Sequence, residues 1–528
     1  MADMNLSVDD IIAFSASEVV VAPTTGTTQA TELVWDSRLA GPASLFVAVK
    51  GERADGNDYI IEALRLGAVA AIASKKPSAD VMAVATQTGA ALLHAPDDDI
   101  FAALQSLAAA YRQKLPATVV GITGSSGKTT TKDLIAGVLA AGFNTHATPG
   151  NRNNEIGLPA TILDADPKHE MIVAEMGMQA LGEIAALCRV ALPKIGVITN
   201  VGVAHCELLG SRENIARAKS ELFASLPDTT GIAILNGDDP YSQRLRELAR
   251  LDERTVTVVS YGLGANNDLR ATGISYDAGG HPSFVLWLPD GREYPARVGL
   301  PGEHNVYNAL AAVAVGIAAG VPVPKILAAL TEAKPAALRQ EIIRTRFGAI
   351  INDTYNANPD SMRAALQLLG QFSARGRHIA VLGDMYELGS EEQAFHREIG
   401  AFAFVSGVDI LVTVGELGAS IAEGALAVGM PAERVFSCAN SATAVEVLTS
   451  LLCEGQSVYT SEKDSSDSTS ANDPANDPAN DSATANDFAS ATASNNAAPV
   501  KDVVLVKASR GMQLEKLVAK LEQIGSKV

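Results

Sequence analysis

The residues with the clearest chemical potential are 121–130, which read Gly-Ile-Thr-Gly-Ser-Ser-Gly-Lys-Thr-Thr. An apolar run at 117–122 precedes them and a helical run at 132–141 follows. In a strand–loop–helix setting, small residues let backbone N–H groups wrap a polyphosphate at a helix N-terminus, where the dipole favours negative charge. The spacing predicts a phosphate loop of Thr123, Gly124, Ser125, Ser126, Gly127 and Thr130, with Lys128 reaching the β- and γ-phosphates and the Thr129 hydroxyl on Mg²⁺. Ile122 departs from the common pattern, standing where the first glycine is expected. A chance glycine-rich turn is the bland alternative, and the strand before and helix after weigh against it.

Magnesium needs oxygen ligands near the phosphates. Glu175 closes the apolar run that starts at 171, and a carboxylate at the carboxyl edge of a parallel sheet faces the ligand crevice. Alone it reads as a solvated surface group; beside a phosphate loop it becomes the favoured metal ligand. Asn200, His205 and Lys219 follow. A lone histidine after a strand is more often structural, and a helical lysine normally faces solvent, so residue type assigns neither.

The elements that must position these groups form a repeating pattern. Short Val/Ile-rich runs at 44–49, 117–123, 171–177, 195–201, 231–236, 349–355, 378–383 and 410–415 alternate with Ala/Leu/Glu-rich amphipathic stretches. Buried parallel strands joined by crossover helices read this way, so the expected class is α/β. Seams near 97 and 334 divide the chain into 1–97, 98–334 and 335–528. The segment 461–499, with its Ala-Asn-Asp-Pro near-repeat and almost no large apolar residue, is expected to be a disordered acidic insertion within the last domain. The strand-like 502–507 follows it.

Composition narrows the function. Lys+Arg number 41 against 60 Asp+Glu, a net charge of −19 that argues against nucleic-acid binding. Cys188, Cys206, Cys438 and Cys453 have no paired spacing, which suits a reducing compartment and no zinc site. The N-terminus lacks a secretory signal, and the apolar stretch 309–323 is interrupted by Gly and Pro. A cytoplasmic protein without membrane insertion is expected.

Several motifs in sequence order then resemble the ATP-dependent Mur ligases, which build the peptide of the bacterial cell wall. They are the phosphate loop, Thr148-Pro-Gly-Asn151-Arg-Asn-Asn154-Glu-Ile-Gly157, Glu175, the Asn200 to His205 run, Lys219, and Gly302-Glu-His304-Asn305-Val-Tyr-Asn308. Three further stretches, 352–362, 381–389 and 504–512, resemble the branch that joins D-alanyl-D-alanine to UDP-N-acetylmuramoyl-tripeptide. The Asp-Asn-Pro-Arg motif typical of the branch that adds the third amino acid is absent.

The resemblance implies three domains: a small α/β domain for the UDP-sugar, a central P-loop-type parallel-sheet ATPase, and a Rossmann-like C-terminal domain. It implies that Lys219 is carbamylated and, with His205, holds a second Mg²⁺, while Thr129 and Glu175 hold the first. Asn308 would contact the adenine side, and Arg339 and Asp353 the phosphate and ribose. Lys128, Glu175, His205, Lys219 and Arg339 form the implied catalytic set. Ser37, Arg38, Phe46, Asp55, Asn154, Tyr355, Asn356, Asn358, Lys507, Ser509 and Arg510 would bind the substrates, those of the first domain in a UDP-sugar-binding pattern and the last domain holding the incoming dipeptide. Relatives often carry His where Asn57 stands and Gly where Ala508 stands.

The implied reaction activates a carboxylate as an acyl phosphate at the expense of ATP, then expels phosphate when the amine attacks, in peptidoglycan precursor synthesis. No covalent enzyme intermediate is needed, and no Ser/His/Asp or Cys/His constellation is apparent. The protein is expected to act as a monomer. The alternatives are another ligase of the superfamily (an amino-acid-adding Mur ligase or a folylpolyglutamate synthase) and a nucleotide-driven switch. The switch would leave Glu175, His205, Lys219 and the last domain without a task. His396 is expected to be structural.

Overall fold

The computed structural model describes residues 4–26, 28–51, 54–203, 206–459 and 501–526. His205 and the segment 461–499 lie outside the described residues, as does the disorder expected of the latter. The chain falls into two compact units. The first comprises Met1–Thr272, Leu286–Tyr294 and Tyr307–Ala333, and the second Gly273–Val285, Pro295–Val306 and Lys334–Val528.

Near its start the first unit carries a five-stranded sheet, ordered Glu18–Val21, Ala91–His94, Ala70–Ala73, Ser44–Val47, Glu32–Val34. Its first pair is antiparallel and the others parallel. Ala70–Ala73 and Ser44–Val47 are buried throughout, as expected of strands covered on both faces.

A nine-stranded sheet follows. Its parallel heart runs Thr257–Gly262, Ile232–Asn236, Ile195–Ile198, Thr118–Thr123, Met171–Glu175, Thr145–Ala147. The first strand in sequence, Thr118–Thr123, is therefore flanked by later strands on both sides. From it the chain winds outward one way, then returns to wind the other way. The crevice beyond the carboxyl ends at such a reversal is where open parallel sheets bind ligands.

The second unit has a six-stranded sheet ordered Glu341–Thr345, Gly348–Asp353, Asp502–Lys507, His378–Gly383, Ile410–Val414, Val435–Cys438. Only the first pair is antiparallel. Asp502–Lys507, last in sequence, is hydrogen-bonded on both sides near the middle of the sheet. The described residues on either side of 460–500 therefore belong to the same domain.

All eight runs read as strands are strands, and the mixed α/β class with parallel sheets holds. Several end one to three residues early, because residues such as Met176, Thr199 and Thr354 have turned into the loops that build the site. The helix after the phosphate loop starts at Lys128, not near 132, since Gly127 already adopts the left-handed conformation that opens it. The apolar stretch 309–323 resolves into the helix His304–Ala318 and the start of Val323–Thr331. Among the described residues, no helix is long and apolar enough to cross a membrane.

Candidate active site

The phosphate loop runs from the end of Thr118–Thr123 to the N-terminus of the helix Lys128–Ala140. Its backbone is tied to the next strand's exit. Ser125 N–H donates to the Asn200 carbonyl (3.1 Å), Ser126 N–H to Asn200 Oδ1 (3.0 Å), and the Thr199 hydroxyl to the Ser126 carbonyl (2.7 Å). Ser125 Oγ accepts from Gly202 N–H at 2.8 Å. Asn308 Oδ1 accepts from the Thr131 hydroxyl (3.0 Å) and lies beside Gly127. Lys128 Nζ donates to the Gly124 carbonyl at 2.7 Å, folded back across the loop.

Glycine is required at 124, where φ is +155° and an added Cβ would fall 1.8 Å from Thr199 Oγ1. Relieving that clash would displace the hydroxyl that holds Ser126. A Gly124→Ala variant is expected to lose about 2 kcal/mol of stability or more and to bind nucleotide poorly. Thermal melting and nucleotide titration check this; unchanged affinity would mean that the loop tolerates the shift.

Glu175 ends its strand one position beyond Ala174, opposite Ile122 of the central strand. It is 1% exposed. Asn153 Nδ2 donates to Oε1 at 2.7 Å, whereas Oε2 is buried and has no hydrogen-bond partner among the described residues. Thr123 Oγ1 is orphaned in the same way. A buried carboxylate oxygen without a partner is costly and demands an explanation. A bound cation beside the phosphate loop supplies one, and Thr129, only 6% exposed at the first turn of the helix, adds a hydroxyl. The donor set is all oxygen, as Mg²⁺ prefers.

Lys219 lies on the helix Arg212–Ala224 and is 1% exposed, so it does not face solvent. Burial, reinforced by the neighbouring Lys128 ammonium, holds its amine well below the usual lysine range.

Two supporting residues were not singled out from the sequence. Asn153 holds Glu175; Asn154, expected to bind substrate, is exposed and accepts from Gly157 N–H at 2.9 Å. Lys132 is buried and donates to the carbonyls of Thr148 (2.8 Å) and Gly150 (2.9 Å), pinning the loop that carries Asn153. A helical periodicity places Lys132 but does not say that its ammonium turns inward.

In the N-terminal sheet region, Asp36 caps the turn Ser37–Leu39 and pairs with the exposed Arg38. The Ser37 hydroxyl donates to Glu62 Oε2 at 2.6 Å. Asp55 caps Gly56–Tyr59, and its hydrogen bond to Lys75 (2.5 Å) leads in drawing its carboxyl down to about 2. Asn57 links this turn to Ser74, donating to its hydroxyl at 2.7 Å and accepting from its N–H at 3.1 Å. Phe46 is fully buried in the core beneath, so its side chain offers no surface to a ligand.

In the second unit the expected residues gather at the carboxyl edge of the sheet. Asp353 and Lys507 end neighbouring strands in register and form a buried ion pair of 2.7 Å. Lys507 Nζ also donates to the Asn356 carbonyl at 2.8 Å, so its ammonium is engaged within the protein. Arg339 stacks over Tyr355 at 3.9 Å, and Arg510 approaches the same ring at 6.0 Å. Asn358 caps Pro359–Gln371 in a reciprocal box with Ser361. Ser509 Oγ accepts from Tyr386 N–H at 2.9 Å. The Ala508 methyl fits because Gly383 has no Cβ, which would come within 2.7 Å of it. His396 is fully buried between Met385 N–H and the Glu392 carbonyl, a structural histidine as expected.

Family models match along most of the chain: a Mur ligase catalytic domain at 30–112, a Mur ligase middle domain at 122–316 and a Mur ligase glutamate ligase domain at 338–463. A UDP-N-acetylmuramoyl-tripeptide–D-alanyl-D-alanine ligase from Bacillus subtilis is 41% identical over 392 residues, covering 74% of this chain and 81% of its own. Among solved structures, MurF from Acinetobacter baumannii superposes with a TM-score of 0.81 at 29% identity, over 99% of this chain and 100% of that one. MurF from Thermotoga maritima, solved in complex with ADP, gives 0.73 at 27% identity over 94% and 98%. A phosphate loop and a strand-end carboxylate with an oxygen unpartnered among the described residues, both on one parallel sheet, and a buried lysine on the helix Arg212–Ala224 thus coincide with similarity across all three domains. The chain belongs to the Mur ligase family.

Proposed function

We propose that this protein is an ATP-dependent ligase that joins D-alanyl-D-alanine to UDP-N-acetylmuramoyl-tripeptide in peptidoglycan precursor synthesis, releasing ADP and phosphate. The observation that carries the reaction class is Glu175, buried at the crevice beside a glycine-built loop with one oxygen that has no partner among the described residues. The choice of dipeptide rests on the names of the relatives described above.

A carboxylate is a poor electrophile, because its charge is delocalised. The terminal carboxylate of the tripeptide takes the γ-phosphoryl of ATP, the dipeptide amine attacks the resulting acyl carbon, and inorganic phosphate leaves. The protein's part is positioning and charge stabilisation. Backbone N–H groups of 124–130 hold the phosphate chain at a helix N-terminus. Lys128 swings from the Gly124 carbonyl to the transferring phosphoryl. Thr129 and Glu175 are the residues that would hold Mg²⁺, with His205 and a carbamylated Lys219 for a second ion. When bound, the metal neutralises charge that gathers on the phosphoryl oxygens.

Asn308 is assigned to the nucleotide, as are Arg339 and Asp353. Ser37, Arg38 and Asp55 are assigned to the UDP-sugar peptide, and Tyr355, Asn356, Ser509 and Arg510 to the dipeptide side. Domain limits at 1–97, 98–334 and 335–528 accord with this division of labour. The protein is placed in the cytoplasm as a monomer.

The test is phosphate release with UDP-N-acetylmuramoyl-tripeptide and a panel of amines. D-alanyl-D-alanine should be the efficient acceptor, and release should be weak when either substrate is omitted. Preference for meso-diaminopimelate or glutamate would reassign the protein within the superfamily. Brisk ATP hydrolysis with neither substrate would argue against the coupled reaction.

A further inference from the structure

Arg339 sits between two residues whose backbones are unusual. Leu338 has φ of +63° and Gln340 of +54°, the left-handed region that non-glycine residues rarely occupy. Such conformations persist where surrounding contacts over-determine them, and they cluster at functional sites. Two contacts do so here. The Leu338 carbonyl accepts from Tyr355 N–H at 3.1 Å, tying the turn to the carboxyl edge of the sheet. On the other side, His304 Nε2–H donates to Gln340 Oε1 at 2.8 Å, and Asn305 Nδ2 approaches the same oxygen at 3.4 Å. The imidazole reaches this position because residue 302 is glycine: a Cβ there would stand 2.5 Å from His304 Cε1. Arg339, held from both sides, lies 3.9 Å over the Tyr355 ring.

We propose that the His304–Gln340 hydrogen bond is a latch that fixes the 338–340 turn and so aims the Arg339 guanidinium. His304 and Gln340 are positioning residues that touch no substrate. The inference rests on the functional reading above for what Arg339 does, but not for how it is held. A long, flexible side chain reached through a strained turn would otherwise sample many directions, and misplacing a phosphate-binding group by about 1 Å costs on the order of a hundred-fold in rate.

Gln340→Asn tests the latch. Asparagine tolerates the left-handed region better than glutamine does, so backbone strain is not increased, but its amide is one methylene too short to reach His304. Gln340→Glu keeps an oxygen acceptor at full reach. Two readouts are needed: hydrogen exchange at the Tyr355 amide in nucleotide-free full-length protein, and steady-state phosphate release.

With Gln340→Asn, the Tm is expected to hold or rise while protection at Tyr355 falls about ten-fold, reporting local opening. Its kcat should fall about ten-fold or more, with the KM for D-alanyl-D-alanine unchanged. Gln340→Glu should return both readouts to within about three-fold of the wild type. Unchanged exchange in Gln340→Asn overturns the latch whatever the activity. So does lost protection with unchanged kcat, a Tm that falls in step with kcat, or a Gln340→Glu variant as impaired as Gln340→Asn. A wild type without dipeptide-dependent phosphate release would sink the functional reading instead, and exchange at Tyr355 would still decide how the turn is held.

Discussion

Replacing Lys219 by alanine is expected to lower kcat by more than about a hundred-fold, and millimolar acetate or formate should restore a measurable fraction. The reasoning starts from burial. Lys219 is 1% exposed, and Lys128 adds a like charge nearby, so both factors disfavour a second ammonium. An ordinary lysine, titrating near 10.4, is only about 0.1% neutral at pH 7.4. Lowering the pKa enlarges the neutral fraction, and only the neutral amine attacks carbon dioxide. The adduct exchanges a cation for an anion with two oxygens, which suits a position beside a triphosphate and its metal. The pH sign follows: after carbon dioxide is stripped and returned, recovery should quicken as pH rises toward that lowered pKa and level off above it. Lys219→Met should keep or raise the Tm, because it removes a buried group that is costly to charge. Activity loss would then not reflect misfolding. A fully active Lys219→Arg variant would sink the idea, since a guanidinium cannot form the adduct.

How far the sequence foretold these features depends on whether the information was local. Buried parallel strands were legible because residues covered on both faces form continuous apolar runs, as at 171–174 and 410–412. Pro282–Trp287 alternates buried with half-buried residues and lies in the nine-stranded sheet, yet its signal is no stronger than that of a surface hairpin. The phosphate loop was legible because its glycines, its lysine and its threonine are contiguous. Contacts between distant segments were not. Nothing in the sequence selects Asn153 over Asn154 as the partner of Glu175, since neighbouring loop residues differ only in the way the backbone points them. Nor does composition reveal that Lys507 spends its charge on Asp353, 154 positions away. Phe46 shows the opposite error: a motif places it by a ligand, whereas a strand with both faces covered turns its side chain into the core.

Glu175→Gln is the second substitution expected to have a large effect, with kcat falling by about a hundred- to a thousand-fold at saturating substrates. The change is nearly isosteric. A glutamine can still accept from Asn153 Nδ2 through its remaining oxygen, so packing at this 1%-exposed position is preserved. What disappears is the negative charge and the acceptor at Oε2, the oxygen that has no hydrogen-bond partner among the described residues. If that oxygen is reserved for a cation, the variant should need far more Mg²⁺ for half-maximal activity, while its Tm without nucleotide should not fall. Without a cation role, replacing an orphaned acceptor by an amide donor would only shift stability, and the magnesium titration separates the two. Asn153→Ala provides the internal comparison. It removes the group that orients the carboxylate but leaves the charge, and losing such an outer partner typically costs about ten- to a hundred-fold in metal affinity or activity. The ordering Glu175→Gln worse than Asn153→Ala, both with a raised Mg²⁺ requirement, identifies Glu175 as the metal's carboxylate. An unchanged requirement in Glu175→Gln would remove it from that role and leave the buried oxygen to be explained by something other than a cation.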